Sequence, residues 1–497
     1  MSDAVSARDP LPELARTRLG IPYLYPIQRF VISNTLEGKP QIVVLPTGSG
    51  KSLCFQLPSL LLPGPTLVLL PLLSLMSDQL RKLADAGMRV GALRGGLLPG
   101  DKDSLFERLH SGEMKILLAT PEACLAGSNL AALRGAGFSH IVIDEAHCVS
   151  EWGDTFRPAY REVGRLARGL GVGMRTAFTA TASPSVIARI RELIFDPGEV
   201  RVVAGDPDRP NISYRVLPTL CVEHGIERLV REAQRPILVF FRTRGGTELA
   251  ARCTRRRTGD QRIFFYHAGL VREERAEVER WFLASKDGVL FATCAYGLGV
   301  DKPDIRTVVH AQVPSTVEAY LQETGRAGRD GEPSRAILFV SREDRLFPAR
   351  LEEGTPRDRY QGMLRYALSR GACRRRHLLS LIGQEPSACT GCDVCDGSVV
   401  EGPEGGREIT AFFSRNQRKF TAAQAALILT GTGGPSAARE LHDCIRGWRA
   451  LAGWDREDAE KAIAALEADG DLAVSWRGPW KNRISVTRRL SGRRAPS

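Results

Sequence analysis

The run PTGSGKS at positions 46–52 combines the residue types that hold a polyphosphate. In such a loop Thr47, Gly48, Ser49 and Gly50 bring backbone N–H groups close to phosphate oxygens at a helix N-terminus. Lys51 offers a charge to the β- and γ-phosphates, and Ser52 can ligate Mg2+. The commoner form of the loop has glycine where this chain has Leu45. Asp144 and Glu145 follow directly on the apolar run HIVI, where Asp144 can hold the cation through water and Glu145 can take a proton from an attacking water. Further on, QETGRAGRDG at 322–331 places Arg326 and Arg329 three apart among glycines, so that both guanidinium groups can reach one site across a cleft. Arginines of that kind stabilise charge on a transferring phosphoryl group and are worth about three to five decades in rate. Together these residues point to nucleoside triphosphate hydrolysis with ATP and Mg2+.

A second chemistry lies in the cysteines. Cys389, Cys392 and Cys395 recur at three-residue intervals, and Cys373 stands sixteen residues upstream of the first. Four thiolates suit a closed, tetrahedral structural Zn2+ site, and they leave no open position for catalysis. The other reading, a redox-active CxxC, calls for a thioredoxin-like βαβ context that the surrounding sequence does not offer. The remaining cysteines of the eleven are scattered singly, which excludes a disulfide framework and indicates a reducing, cytoplasmic compartment. No stretch has the length or apolarity of a signal peptide or a membrane span. A formal charge of +12 and a pI near 9.3 favour a polyanionic partner, nucleic acid first among them. In CVSEWGDTFRPAY at 148–160, Trp152, Phe156 and Tyr160 sit with Arg157 among glycine and proline. Exposed rings there can stack on bases for about 1–3 kcal/mol each. The alternative is that they are core.

The elements needed to position these groups are visible as short apolar runs alternating with amphipathic stretches. QIVVL (41–45), TLVLL (66–70), KILLA (115–119), HIVID (140–144) and RTAFT (175–179) read as buried parallel strands. A connector rich in Pro, Gly, Asp and Asn follows over 195–213, and the alternation restarts with PILVFF (236–241), RIFFY (262–266), GVLFAT (288–293), RTVVH (306–310) and RAILFV (335–340). Two α/β units therefore lie in tandem. Residues 359–384 then hold six arginines and no acidic residue, which reads as a basic module stabilised by the metal. After a linker at 401–406, DREDAEKAIAALEADG has Asp455 as N-cap and Gly470 as stop, and LAVSW and RISVT flank a Gly478-Pro479 turn. A helix followed by a two-stranded wing suggests a winged-helix domain, with seven basic and no acidic residues from Arg477 onward.

With these motifs quoted, the chain resembles the RecQ family of DNA helicases nearly end to end. LGIPYLYPIQ (19–28), PLLSLMSDQ (71–79), FTATAS (178–183), YHAGL (266–270) and ATCAYGLGVDKPDIRTVVH (292–310) carry the rest of the likeness. The resemblance implies an α/β fold: two RecA-like parallel-sheet domains, a small helical zinc-binding module and a winged-helix domain. The expected bounds are 1–206, 207–345, 346–400 and 407–490, with a basic tail at 491–497 and no helical nucleic-acid-binding domain after it. By the same resemblance Gln28 contacts adenine, Asp301 lies near the ribose, and Thr179, Thr181 and Gln322 link nucleotide state to domain closure. The loop containing Trp152 is then a sensor of single-stranded DNA. Five positions depart from the family: Glu151 replaces glutamine, Asp154-Thr155 replaces His-Asp, and Tyr25-Pro26 replaces Phe-Arg. Trp476 and Trp480 either wedge against a terminal base pair or pack on the helix. The implied activity is ATP-dependent 3′–5′ unwinding by a monomer on single strands and single-strand/duplex junctions. A translocase or annealing factor with weak unwinding is the alternative.

Overall fold

A computed structural model describes residues 10–46, 49–71, 73–151, 158–180, 182–297, 302–385, 388–432 and 445–487. Two compact units divide the chain, the first built mainly from 1–209 and the second from most of 210–497.

The first unit holds a parallel sheet of seven strands: β1 (Gln41–Val44), β2 (Thr66–Leu69), β3 (Val90–Leu93), β4 (Ile116–Ala119), β5 (His140–Ile143), β6 (Arg175–Thr179) and β7 (Arg201–Ala204), in the order β3-β4-β2-β5-β6-β1-β7. Helices connect and cover them, so β1, β2, β4, β5 and β6 are buried along their whole length. That is why each reads as an unbroken apolar run. β1 and β5 lie on either side of β6, and the phosphate loop and Asp144 leave their carboxyl ends, where open parallel sheets place ligands.

The second unit repeats the plan with β8 (Ile212–Pro218), β9 (Ile237–Phe240), β10 (Ile263–Tyr266), β11 (Val289–Ala292), β12 (Thr307–His310) and β13 (Ser334–Val340), all parallel, in the order β10-β11-β9-β12-β13-β8. β3, β7 and β8 were not expected from the sequence. β7 and the start of β8 lie within the supposed connector, which is therefore shorter than its composition suggests.

Beyond the sheets, helix Arg456–Ala468 starts where Asp455 accepts a hydrogen bond from the backbone N–H of Glu457 (2.9 Å). It packs with helices Gly406–Arg415 and Ala422–Thr430 around Ile409, Phe412, Phe413, Leu429 and Ile463. β14 (Leu472–Val474) and β15 (Ile484–Val486) form a short antiparallel ribbon beside them. Among the described residues no helix is long and apolar enough to cross a membrane.

Candidate nucleotide site and zinc centre

The phosphate loop is braced from behind. Ser49 Oγ donates to the carbonyl of Pro46 (2.6 Å), and Gln28 Nε2 donates to the carbonyl of Ser49 (2.8 Å). Gln28 Oε1 in turn accepts from the backbone N–H of Tyr25 (3.0 Å), so both ends of this amide are engaged by protein. Gly50 adopts φ +73°, the left-handed region that favours glycine, and a Cβ there would also displace the Gln28 amide, whose Nε2 would stand 2.5 Å away. Helix Leu53–Leu61 begins directly after Ser52. Lys51 Nζ is buried and has no hydrogen-bond partner among the described residues, an arrangement that awaits an anion. Thr47 and Gly48 lie outside the described residues.

At the end of β5, burial and the neighbouring Glu145 charge push the Asp144 carboxyl above its ordinary range, against the opposing pull of Lys51. Glu145 is buried and has φ +48°, the left-handed region that a glutamate rarely adopts. Two backbone contacts fix that turn: the N–H of Glu145 donates to Asp144 Oδ1 (3.0 Å), and that of Ala146 to the carbonyl of Phe178 on β6 (2.8 Å). His147 Nδ1 lies 3.1 Å from Thr179 Oγ1 and 3.4 Å from Glu145 Oε2, which connects the second carboxylate to the β6 end. Thr181 lies outside the described residues.

In the second unit, helix Val317–Thr324 is capped by Thr316, whose Oγ1 accepts from the N–H of Ala319 (3.1 Å), and carries Gln322 half-buried. Arg326 is buried and Arg329 half-buried in the turn that follows. Gly328 shapes that turn with φ +50°, and a Cβ there would meet Asn211 Nδ2, the Glu332 carbonyl and Ser334 Oγ, each at 2.5 Å. Asn211 Nδ2 donates to the carbonyls of Gly328 (2.7 Å) and Glu332 (2.9 Å). Nothing in the local sequence marked Asn211 as a support for the arginines, because its partners are more than a hundred residues away. Asp301 lies outside the described residues.

The sulfurs of Cys373, Cys389, Cys392 and Cys395 all lie within 4.8 Å of one another. Tetrahedral Zn–S bonds of about 2.3 Å require roughly such separations, so the four thiols fit Zn2+. The Cys392 sulfur also accepts from the N–H of Cys395 (3.4 Å), a donor suited to thiolate charge. The loops are held by residues beside the ligands. Arg374 Nε donates to Asp393 Oδ1 (2.8 Å) with both side chains 3% exposed, and Asp393 Oδ2 accepts from the N–H of Val216 on β8 (2.9 Å). Arg375 donates to the carbonyl of Ile212 (2.5 Å). Two arginines counted in the basic module are thus buried staples and not phosphate-binding surface.

Trp152, Phe156 and Arg157 lie outside the described residues. Tyr160 requires a correction: expected with them at a nucleic-acid surface, it is 0% exposed and part of the first unit's apolar core with Val163, Val186 and Ile190. The 3-10 turn Pro158–Glu162 carries its ring inward, and a ring without exposed face cannot stack on a base. Trp480 is 49% exposed, with the Arg418 guanidinium 5.5 Å from its ring centre, and Trp476 is exposed as well.

Three family models match the chain: DEAD/DEAH box helicase over residues 25–190, Helicase conserved C-terminal domain over 221–331, and RecQ zinc-binding over 347–396. The first two, falling on the two parallel sheets, define the class as a two-domain helicase core. The DEAD-box helicase Mss116, solved with ssRNA and UDP-BeF, shares this fold with a TM-score of 0.55 at 18% identity, covering 76% of this chain and 81% of that one. The probable ATP-dependent DNA helicase RecS of Bacillus subtilis is 41% identical over 63% of this chain and 63% of its own length. The ATP-dependent DNA helicase RecQ of the same organism is 32% identical over 78% of this chain and 67% of that protein. The chain belongs to the RecQ family. It spans less than two thirds of the length of RecS, the relative of higher identity here.

Proposed function

We propose that the chain is an ATP-dependent 3′–5′ DNA helicase that couples hydrolysis to translocation on single-stranded DNA and to duplex unwinding in repair and recombination. The observation that carries this is the buried Lys51 ammonium, without a hydrogen-bond partner among the described residues, in a phosphate loop whose neighbour across β6 is the Asp144–Glu145 pair. Ser52 and Asp144 would hold Mg2+, which supplies charge neutralisation for the phosphates. Lys51 and the loop N–H groups bind and orient the triphosphate. Glu145, fixed by its left-handed backbone and by His147, accepts a proton from the attacking water. Gln28 and Asp301 are assigned to the adenine and the ribose, and Gln322, Thr179 and Thr181 to sensing of nucleotide state. Arg326 and Arg329, carried by the second unit, are assigned to the developing phosphoryl charge. Trp152, Phe156 and Arg157 are proposed to sense the single strand, and Trp480 to meet the duplex at a junction. The zinc centre is structural. The domain bounds given above are retained in this proposal, with β8 opening the second domain.

The test is unwinding of 3′-tailed, 5′-tailed and blunt duplexes with and without ATP. Unwinding confined to the 3′-tailed substrate is expected, abolished by Lys51→Ala and by Glu145→Gln, the latter with ATP binding retained. Substantial turnover by Glu145→Gln would sink the catalytic assignment, and unwinding of 5′ tails alone would reverse the polarity.

A further inference from the structure

A glutamine outside the phosphate loop reaches its cation-binding end. Gln79 Nε2 lies 3.2 Å from Ser52 Oγ, and Gln79 Oε1 is buried without a hydrogen-bond partner among the described residues. Gln79 belongs to helix Leu73–Asp85, whose Met76 and Leu83 are buried in the core of the first unit with Val43, Val68 and Leu118. Residues 76, 79 and 83 recur at the three-to-four spacing of one helix face, so the packing that seats Met76 and Leu83 also turns Gln79 toward the loop.

A serine hydroxyl that ligates a cation gives the metal an oxygen lone pair, and its proton then needs an acceptor on the far side. As placed, the Gln79 amide donates to Ser52, which occupies one of the lone pairs the metal would use. The oxygen and nitrogen of a side-chain amide are nearly isosteric, and their assignment follows the hydrogen-bond network. Turned by half a rotation, the same amide presents its unpartnered Oε1 to the Ser52 O–H and leaves the lone pairs for Mg2+. We propose that Gln79 is a positioning residue for the cation site: its carbonyl oxygen accepts a hydrogen bond from the Ser52 hydroxyl when Mg2+·ATP binds and so aims Ser52 Oγ at the metal. This rests on the proposal that Ser52 is a Mg2+ ligand.

The experiment titrates Mg2+ into the full-length chain with a fluorescent, non-hydrolysable ATP analogue, for wild type, Gln79→Leu, Ser52→Ala and the double variant. Gln79→Leu should raise the Mg2+ concentration for half-maximal binding by about three- to ten-fold, the range for one hydrogen bond. Its nucleotide affinity in EDTA and its melting temperature should stay at wild-type values. In the Ser52→Ala background the same substitution should add nothing. Should leucine disturb the helix face, Gln79→Met keeps the chain length and removes both polar atoms. An unchanged Mg2+ midpoint for Gln79→Leu beside a raised one for Ser52→Ala overturns the role of Gln79 alone. Equal losses with and without metal, or additive losses in the double variant, overturn it as well. An unchanged midpoint for Ser52→Ala removes the Ser52 assignment, and the Gln79 proposal falls with it.

Discussion

The zinc-binding loop and the wing-bearing helices both rest on the second α/β fold, and they do so by different chemistry. The zinc loop continues the sheet: the N–H of Tyr214 donates to the carbonyl of Gly391 (3.3 Å), the N–H of Asp393 to that of Tyr214 (3.1 Å), and Tyr214 forms a parallel bridge with Cys392. The buried Arg374–Asp393 pair closes the contact. The wing-bearing helices attach mainly through side chains. Arg257 meets Asp458 at 2.5 Å, Lys461 meets Glu223 at 2.8 Å, Arg345 meets Asp469 at 2.6 Å, Arg228 meets Glu404 at 2.7 Å, and His224 stacks on Trp454 with ring centres 3.8 Å apart. Apart from Arg257–Asp458, whose side chains are 14% and 0% exposed, these ion pairs stay partly in solvent. The first contact is a piece of fold; in the second, the Lys461–Glu223, Arg345–Asp469 and Arg228–Glu404 pairs lie where salt can reach them.

The largest effect should come from the metal. Chelation of zinc or Cys392→Ala should unfold the loop, removing a sizeable share of the ~10–16 kcal/mol typical of such sites, and should expose the amides of Tyr214 and Val216 to hydrogen exchange. Active, fully protected protein without zinc would end the idea that the loop is part of the sheet. Next, Arg374→Ala leaves Asp393 buried and unpaired, and urea unfolding should show a loss of about 3–5 kcal/mol. On the other side of the comparison, Arg257→Ala strips Asp458 of its charged partner. It should cost about 1.5–3 kcal/mol, read as earlier melting of the wing-bearing helices with zinc content unchanged. Raising salt from about 0.1 to 1 M shortens the screening length from roughly 10 to 3 Å. Zero-length cross-linking of Lys461 to Glu223 should then fall by roughly two- to five-fold, the range for a pair worth under about 1 kcal/mol, while protection at Val216 stays constant. Equal salt sensitivity of both contacts would erase the distinction. The smallest effect belongs to Trp480→Ala, expected to alter stability by less than about 0.5 kcal/mol while weakening junction binding.

Sequence and structure agree where the physics is local or fully buried. The five strands of the first sheet that are covered on both faces announce themselves as apolar runs. β3, β7 and β8 do not, and each lies at the edge of its sheet, where burial alternates along the strand. β7 is further disguised by its Pro- and Gly-rich surroundings. At the sites, the phosphate loop and the four cysteines are legible because contiguous spacing defines their geometry. Tyr160 misleads because its neighbours in sequence suggest exposure while the turn that bears it faces inward. Arg374 and Arg375 mislead in the opposite sense. A run of three arginines reads as a basic surface until Asp393 and the Ile212 carbonyl are brought against it from distant parts of the chain.

β8 would otherwise present a row of unpaired N–H and C=O groups along one margin of the second sheet. The zinc loop occupies that margin at Tyr214 and Val216. A strand margin left open is a template on which a second chain can add its own strand, so the metal-bound loop also acts as a guard against self-association. A fragment cut after residue 345 would keep both sheets and lose the guard; it should precipitate or form β-rich oligomers at concentrations where the longer chain stays dispersed. Solubility of this protein should thereby follow the supply of Zn2+.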